Sequence, residues 1–405
     1  MNDSARKRVL ILAPHSFPVF GAEAIVNINL LRVLAQSGEF EIDLISKKKP
    51  RSVYPSACFE SYGFSLNSIS VVEINNGISL KNLVLLIRSL FHFRIFYWGG
   101  LWAEAALNKA KENIQNQDYD YLVTKNNPSF LLGWYLKKKY GLKWVASWND
   151  PFPFSKSPSP YNKEKTRRRT IVDWLIVRRM RCADVHVFPC DRLSRYMQGY
   201  LKIGAEKCVT VAHVSSFHIA GRRTTSGAAL RMIHSGKLLP PRDASALLQA
   251  LSTVHNMNPD FSIHLTLVGK KPLTIETMVR QHGLEGYVEV MEPVEYKKSL
   301  EMMSDYDVAV IVEAPVKEGI FLPTKVGEYV NMGIPILAIS PEVGTLNDLY
   351  NQKVIGYFAP VNNVDSIANE ICKIYYDFVG KNLKTSRAEI PFSNPAYVIE
   401  QYKKF

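Results

Sequence analysis

Apolar and polar positions along the chain form blocks that predict strands and helices in alternation. The run Arg8–Ala13 (RVLILA) is apolar after its first residue, as is typical of a parallel strand buried on both faces. Glu23–Leu34 follows with apolar residues at helical spacing. Further strands are predicted at Ile42–Ile45, Ile69–Ile74, Tyr121–Thr124, Trp144–Ser147, Val185–Phe188 and Val209–Ala212. This alternation predicts a parallel sheet with helices on both faces.

The pattern restarts after a polar, glycine-containing stretch, Ser216–Ala229, which is the best candidate for a linker. Strands are then predicted at Leu230–His234, Ile263–Val268, Tyr287–Met291, Val308–Val312 and Pro335–Ile339, and helices at Ala244–His255 and Thr324–Met332. We therefore expect an α/β protein with two doubly wound, Rossmann-like domains facing a cleft. The expected domains are residues 1–215 and 216–391, and a final helix, about 392–405, packs back on the first domain.

Composition and charge narrow the class of protein. Hydrophobic residues make up 47% and charged residues 21% of the 405 residues, which excludes a disordered, collagen-like or polytopic membrane protein. The net charge is +13, and residues 1–215 hold 31 of the 50 Lys and Arg but 17 of the 37 Asp and Glu. The first half is therefore expected to meet something anionic: nucleic acid, a membrane surface or a phosphorylated substrate.

Cysteines and acidic pairs bear on compartment and metal binding. The five cysteines are scattered without a CxxC pair, and the amino-terminal sequence has no signal-peptide core, so a cytoplasmic protein with reduced thiols is expected. Asp118-Tyr119-Asp120 and Asp305-Tyr306-Asp307 match the DxD pattern of metal-dependent sugar transferases. Both precede a strand, whereas ligands of such sheets bind where strands end. We therefore expect turn caps there and no metal site.

The loop after the first strand, Pro14–Ala22, is a weak candidate for a phosphate site. It lacks the GxGxxG pattern, and no carboxylate follows the second strand, which disfavours a dinucleotide site. Gly21, just before a helix, can let the backbone approach a phosphate, although an ordinary tight turn explains it equally well.

The second half carries a sharper set of cations. Gly236 and Lys237 end its first strand, Arg242 follows five residues later, and Gly269 ends the next strand in a similar way. Two cations on one loop suit a diphosphate, because Arg binds phosphate oxygens bidentately and Lys acts as a point charge. The alternative is a pair of solvated surface cations.

The segment Glu318–Pro335 gives the strongest signal. Thr324 follows Pro323 and predicts an N-cap, so the helix N-terminus is expected to bind an anion. Glu328 lies one turn inside this helix and is expected to accept hydrogen bonds from hydroxyls beside the phosphates. The alternative is a first-turn Glu stabilised by the helix dipole.

These residues resemble a known family. Lys325–Ile336 is similar to the E-A-M-A-x-G-x-P-V block of GT-B retaining glycosyltransferases of family four, in its variant P-T-K-x-x-E-Y-x-x-x-G-x-P. Gly236-Lys237-Leu238 with Arg242 resembles the family's G-R-L and following Lys, with the two cations exchanged. Phe20–Glu23 resembles its G-G-A-E loop, and Trp148–Phe152 an R-D-P-W motif found in some members.

The resemblance implies metal-independent transfer of a sugar, with retention, from a nucleotide-sugar, most simply a UDP- or GDP-sugar. The acceptor would be a saccharide or a lipid-linked molecule in surface polysaccharide or glycoconjugate synthesis, and no nucleic acid is expected. By resemblance, Glu328 binds the ribose, Lys237 and Arg242 hold the diphosphate and stabilise the departing charge, and Asp150 faces the acceptor or donor sugar. The donor site is completed by Gly21, Gly236, Gly269, Glu318, Thr324 and Lys325.

One departure concerns the donor sugar. Many members have a second Glu eight residues before Glu328, and here that position is Ile320, with Glu313 and Glu318 nearby. A nucleotide-sugar epimerase of the same shape and a basic nucleic-acid-binding protein remain alternatives, the latter supported weakly by Lys137–Lys139 and Arg167–Arg169.

Membrane attachment is a further expectation. Lys81–Trp102 interleaves apolar, aromatic and basic residues, as is typical of helices that lie in the headgroup layer of an anionic membrane. A helix packed on the sheet, with its arginines reaching water, fits the same pattern.

Overall fold

The computed structural model describes residues 6–16, 21–48, 62–74, 77–162, 170–216, 229–385, 390 and 393–405. Most of the predicted linker, Phe20 and the basic run Arg167–Arg169 lie outside these residues. The chain forms two compact units. The first comprises Met1–Pro158, Asn162–Ser216 and Phe392–Phe405, and the second Ser159–Tyr161 and Phe217–Pro391.

The first unit is a seven-stranded parallel sheet in the order β3-β2-β1-β4-β5-β6-β7. Its strands are β1 (Lys7–Leu12), β2 (Phe40–Lys48), β3 (Ser68–Glu73), β4 (Tyr121–Lys125), β5 (Trp144–Ser147), β6 (Val185–Phe188) and β7 (Cys208–Thr210). Its helices are α1 (Ala22–Gln36), α2 (Leu80–Phe93), α3 (Leu101–Asn116), α4 (Ser129–Tyr140), α5 (Thr170–Met180) and α6 (Asp191–Leu201).

The second unit is a six-stranded parallel sheet in the order β10-β9-β8-β11-β12-β13. Its strands are β8 (Leu230–Ser235), β9 (Ile263–Val268), β10 (Val288–Met291), β11 (Val308–Val312), β12 (Ile336–Ser340) and β13 (Tyr357–Pro360). Its helices are α7 (Ser245–Met257), α8 (Ile275–Gln281), α9 (Tyr296–Met303), α10 (Lys325–Asn331), α11 (Thr345–Asn351) and α12 (Val364–Val379).

The last helix, α13 (Pro395–Lys404), belongs to the first unit. The hydroxyl of Tyr121 in β4 donates to the carbonyl of Tyr402 at 2.6 Å, and the hydroxyl of Tyr397 donates to the carbonyl of Thr210 at 3.1 Å. Within the described parts of the chain, no helix is long and apolar enough to cross a membrane.

The predicted α/β class with two doubly wound sheets is confirmed. Each strand that the apolar runs predict is present, with ends that differ by up to three residues. The strand β13 was missed, because its sequence YFAP is short and ends in proline.

In both sheets the strand order reverses beside the first strand, between β1 and β4 and between β8 and β11. Ligands of doubly wound sheets bind at the carboxyl ends of strands at such a point.

The two Asp-Tyr-Asp sequences lie at the opposite, amino edge of the sheets. Asp120 accepts a hydrogen bond from the backbone N–H of Arg8 at 2.9 Å, and Asp307 accepts one from the N–H of Arg231 at 2.9 Å. Both carboxylates therefore cap the start of a neighbouring strand, as expected. Among the described residues, no group of three His, Cys, Asp or Glu side chains could hold a metal ion.

Helix α4 approaches the first sheet closely at Gly133. A Cβ atom there would lie 2.5 Å from Thr124 Cγ2 and 2.6 Å from Trp144 Nε1, which itself donates to Thr124 Oγ1. We expect Gly133→Ala to lower the free energy of unfolding by about 1–3 kcal/mol, the cost of overpacking, in denaturant titrations.

The matched control is Gly199→Ala in α6, where a Cβ atom would meet nothing within 4 Å. This change should raise stability by about 0.5–1 kcal/mol, because alanine favours the helix. Equal effects at the two positions would contradict close packing at Gly133.

Candidate functional site

The switch point of the second sheet is built around two glycines. Gly236 follows β8 with φ +143°, and Gly269 follows β9 with φ +125°, a backbone conformation that other residues rarely adopt. A Cβ atom on Gly236 would collide with the side chain of Lys325, and one on Gly269 would collide with the carbonyl oxygen of Gly236. Both predicted glycines are therefore required where two loops and the first side chain of α10 meet.

A carboxylate holds one of the predicted cations. Glu313 follows β11, and its oxygens accept hydrogen bonds from Arg242 Nε at 3.1 Å and Arg242 Nη2 at 3.2 Å. Burial raises the pKa of Glu313, although Arg242 partly offsets the effect. Lys237, by contrast, is exposed. The loop after β8 thus presents one exposed cation and one that is positioned by Glu313.

Lys325 brings a third cation to the same place. Burial, and then the nearby Arg242, lower the pKa of Lys325 to about 8, while Glu328 and Glu313 oppose the change. A half-buried ammonium beside a second cation favours an anionic ligand, because that ligand would replace the water that both charges have lost.

Glu328 is the most enclosed of these groups. It is 6% exposed and accepts a hydrogen bond from the Tyr296 hydroxyl at 2.7 Å. Burial raises the pKa of Glu328 to about 7, whereas Tyr296 and Lys325 act to lower it. The carboxylate lies one turn inside α10, as predicted, but it is held from the side by α9.

The start of α10 differs from the expected cap. Thr324 lies at the N-cap position with helical angles (φ −56°, ψ −30°), and its side chain makes no capping hydrogen bond. The predicted side-chain cap is therefore wrong, and α10 has seven residues. Ile320 is 1% exposed in the core, so its position offers nothing to a ligand. Glu318 is half-buried just before Gly319, whose N–H donates to the carbonyl of Val343 at 2.8 Å.

The switch point of the first sheet holds a buried cation that the sequence interpretation missed. Lys125 ends β4, is 3% exposed and donates to Ser147 Oγ at the end of β5 at 2.8 Å. Burial lowers the pKa of Lys125 to about 8, while the charge of Glu23 in α1 raises it. Burial, and then Lys125, lower the pKa of the neighbouring His213 to about 3, so this imidazole is neutral.

Asp150 and Gly21 lie at the same edge of the first sheet. Asp150 is exposed, three residues beyond β5, and the preceding Asn149 donates its N–H to Asn126 Oδ1 at 2.9 Å. Gly21 precedes α1 with φ +94° and ψ 158°. The glycine at this position is thus explained by its backbone conformation, and its approach to a phosphate stays a prediction.

Three residues at these switch points were not predicted from the sequence as site residues: Lys125, Tyr296 and Glu313. The signal for Lys125 and Glu313 is available in the sequence, since each is the charged residue that ends or follows a buried apolar strand beside the switch point. Tyr296 carries no such signal, because only the packing of α9 against α10 brings it to Glu328.

Comparison with known proteins bears on the family and the fold. Residues 229–377 match the family model described as glycosyl transferases group 1. No curated protein sequence matches the chain. Among solved structures, the sucrose-phosphate synthase of Thermosynechococcus elongatus is 15% identical, with a TM-score of 0.67 and 98% of each chain covered.

Two further structures share the fold. The Anabaena protein HepE, solved with UDP and glucose, is 15% identical with a TM-score of 0.66, covering 98% of this chain and 99% of that one. The lipopolysaccharide outer core galactosyltransferase WaaB is 12% identical with a TM-score of 0.60, covering 98% and 100%. The resemblance to GT-B glycosyltransferases of group 1 is thereby confirmed, by the family match over the second unit and by the fold over the whole chain.

The raised pKa of Glu328 has a consequence for stability. The folded protein holds this proton more tightly than the unfolded chain, so stability falls as pH rises from about 4.5 to about 7. Glu328→Gln keeps the shape and the Tyr296 contact, and it should raise the free energy of unfolding at about pH 8 by about 1–3 kcal/mol.

Glu285→Gln is the control, because Glu285 is exposed, and it should change stability by less than about 0.5 kcal/mol. Denaturant titrations at several pH values measure both variants. Equal stability of Glu328→Gln and the parent protein at every pH would show that the carboxylate carries no burial cost.

Proposed function

We propose that this chain, a GT-B glycosyltransferase of the group 1 type, moves a sugar from a UDP- or GDP-sugar to a saccharide or lipid-linked acceptor. Transfer would proceed with retention and without a bound metal. We place the enzyme in the cytoplasm, peripheral to the membrane, in surface polysaccharide or glycoconjugate synthesis. Support comes from two structural neighbours, one solved with UDP and glucose and one a lipopolysaccharide outer core galactosyltransferase.

One observation carries the proposal: the switch point of the second sheet collects three cations and two enclosed carboxylates, of which Glu313 pairs with Arg242. Lys237, Arg242 and Lys325 supply positive charge for a diphosphate, while Glu328 supplies an acceptor for the ribose hydroxyls. A nucleoside diphosphate carries both features, anionic and hydroxylic, side by side. The turns at Gly236 and Gly269 let the Lys325 side chain pack directly against the loop after β8, since a Cβ atom at either glycine would collide with Lys325 or with the Gly236 carbonyl.

The transfer step places demands on these groups. The bond between the anomeric carbon and the diphosphate oxygen breaks, and its electron pair leaves with the diphosphate. The acceptor oxygen forms the new bond and gives its proton to the departing phosphate. Lys237, Arg242 and Lys325 would stabilise the charge that grows on that phosphate, which is an electrostatic contribution of the preorganised kind.

The remaining predicted residues have supporting parts in the proposal. Glu318 would contact the donor sugar, replacing the glutamate that many family members have at the position of Ile320. Thr324 would contribute its backbone N–H to the phosphates. In the first unit, Asp150 would face the sugar, and the buried Lys125 would order the edge where an acceptor binds.

A thermal-shift panel of UDP-, GDP- and ADP-sugars tests donor binding. A ligand that binds only the folded state at about 100 times its Kd adds about 2.7 kcal/mol of stability, so one nucleotide class should raise Tm clearly. Lys237→Ala and Lys325→Met should each reduce that shift, since they remove charges from the site. Arg280→Ala, in the last turn of α8 leading to the amino end of β10, should keep it. A panel without any shift would contradict the proposal.

Incubation of the binding donor without an acceptor separates a transferase from an epimerase. A transferase should leave the donor unchanged except for slow hydrolysis. Steady conversion to an epimeric nucleotide-sugar would favour the second class.

The opposed pKa values predict how donor affinity depends on pH. Glu328, with a pKa of about 7, must be ionised to accept from ribose, and Lys325, with a pKa of about 8, must be protonated to hold phosphate. Affinity for the donor, whose phosphodiesters keep constant charge, should be greatest between these values and fall by up to about tenfold per pH unit outside them.

Calorimetry on two variants assigns the two limbs. Glu328→Gln should lose the decline at low pH, and Lys325→Met should lose the decline at high pH. A parent protein with flat affinity from about pH 5.5 to about pH 9.5 would show that neither group titrates on binding.

A further inference from the structure

Helix α2 turns its apolar side away from the protein. Its packed side consists of Asn82, Leu86, Ser89 and Phe93, two of which are polar. Its exposed side carries six large apolar residues at helical spacing, from Leu80 (79% exposed) to Phe91 (76% exposed), and we name this set the outer stripe: Leu80, Leu83, Val84, Ile87, Leu90 and Phe91. A helix on a globular protein ordinarily buries such a stripe.

Specific contacts fix this orientation. Asn82 Nδ2 donates to the carbonyl of Gly77 at 2.8 Å. Arg88 Nε lies 3.1 Å and His92 Nδ1 2.8 Å from the carboxylate of Glu104, which is buried on α3. Rotation of α2 to bury the outer stripe would break these contacts and leave Glu104 without its two partners in a low-dielectric site.

Further apolar and aromatic residues lie exposed next to α2 along the chain and on α5. Ile78 precedes the helix, and Phe96 and Trp98 follow it. On α5, Ile171 and Trp174 are exposed at a spacing of three. Arg179 of α5 donates to the carbonyl oxygens of Phe93 and Arg94, which ties α5 to the end of α2.

The charges of the neighbouring helices select the partner. The helices α2, α4 and α5, which pack together, contain a single acidic residue, Asp173, which is half-buried and accepts from Ser155 Oγ. On α3, which also packs on α2, Glu104 is buried and the exposed Glu112 pairs with Lys109 at 2.8 Å. The exposed charged residues of α2, α4 and α5 are basic: Lys81, Arg88, Lys138, Lys139 and Arg178, to which Arg94 at the end of α2 adds another. A second copy of this face would bring like charges together, whereas an anionic surface complements it.

We propose that the outer stripe docks this protein on an anionic lipid bilayer, with α2 lying in the headgroup layer and the surrounding cations against lipid phosphates. Trp98 and Trp174 suit this layer, where the apolar part of the ring meets hydrocarbon and its N–H meets water. Phe91 and Phe96 add apolar surface for the hydrocarbon side. The inference rests on the proposed function in one respect: docking would bring the site to a lipid-linked acceptor. The docking itself needs no transfer reaction.

Sedimentation with vesicles tests the docking. The full chain should sediment with vesicles of phosphatidylcholine and phosphatidylglycerol, less so as salt is raised, and should stay in the supernatant with phosphatidylcholine alone. Ile87→Ser with Phe91→Ser should weaken binding at least tenfold, and these exposed positions leave folding intact. Lys81→Glu with Arg94→Glu should weaken it at least about 20-fold, at about fivefold for each cation removed. Arg88 is kept, because it pairs with Glu104.

Matched controls lie on the second unit. Met257→Ser with Leu273→Ser removes two other exposed apolar side chains, and Arg280→Glu reverses another exposed cation. These variants should bind vesicles like the parent protein. Every variant should also keep the thermal shift caused by the donor sugar, so that a loss of docking is distinguished from a loss of donor binding.

Two outcomes would overturn the proposal. One is recovery of the parent protein in the supernatant with anionic vesicles, or binding that the outer-stripe and cation variants leave unchanged. The other is a dimer in light scattering that Ile87→Ser with Phe91→Ser dissociates while the parent ignores vesicles, which would assign the stripe to a second copy of this chain.

Discussion

The central strands of both sheets are buried on both faces, and this burial decides where charged side chains can lie. β4 and β11 are buried along their whole length. An uncompensated charge within such a strand would cost several kcal/mol, so charge is confined to the strand ends. Lys125 ends β4 and Glu313 follows β11, each beside the point where the strand order reverses. The topology thus places these titratable groups at the strand ends before any ligand is considered.

The opposite edge shows that the two units solve the same problem in the same way. In each unit an Asp-Tyr-Asp sequence directly precedes a central strand, β4 or β11. Its second Asp accepts a hydrogen bond from the N–H of the arginine at the second position of the neighbouring strand, Arg8 in β1 or Arg231 in β8. The intervening tyrosines bond to the next strand: Tyr119 donates to Asp43 on β2 at 2.8 Å, and Tyr306 donates to Thr266 on β9 at 3.0 Å. These contacts tie neighbouring strands together, so the acids at the amino edge of each sheet serve stability.

Much of this fold follows from local pattern, and much of the site does not. Continuous apolar runs locate the buried strands, because helices cover both faces and no polar alternation is needed. The cations Lys237 and Arg242 were also recognisable from their position after a strand. Glu313 carries the same signal, since it follows β11, but its pairing with Arg242 arises from packing between elements distant in sequence. Tyr296 carries no such signal, because only the packing of α9 against α10 brings it to Glu328. The predicted side-chain cap at Thr324 is absent because Thr324 itself has helical backbone angles, so its side chain does not reach the free N–H groups of α10.

Helix α2 shows the limit of periodicity most clearly, because a period of 3.6 residues identifies two faces but not which one is packed. Polar contacts decide which face of α2 is packed. Asn82 and the carboxylate of Glu104 are buried away from water, so they need partners within the protein. Satisfying them turns the apolar residues outward, where they gain nothing from folding. The outer stripe therefore gains free energy from burial only when it contacts a surface outside this protein, and the cations around it determine which surface that is.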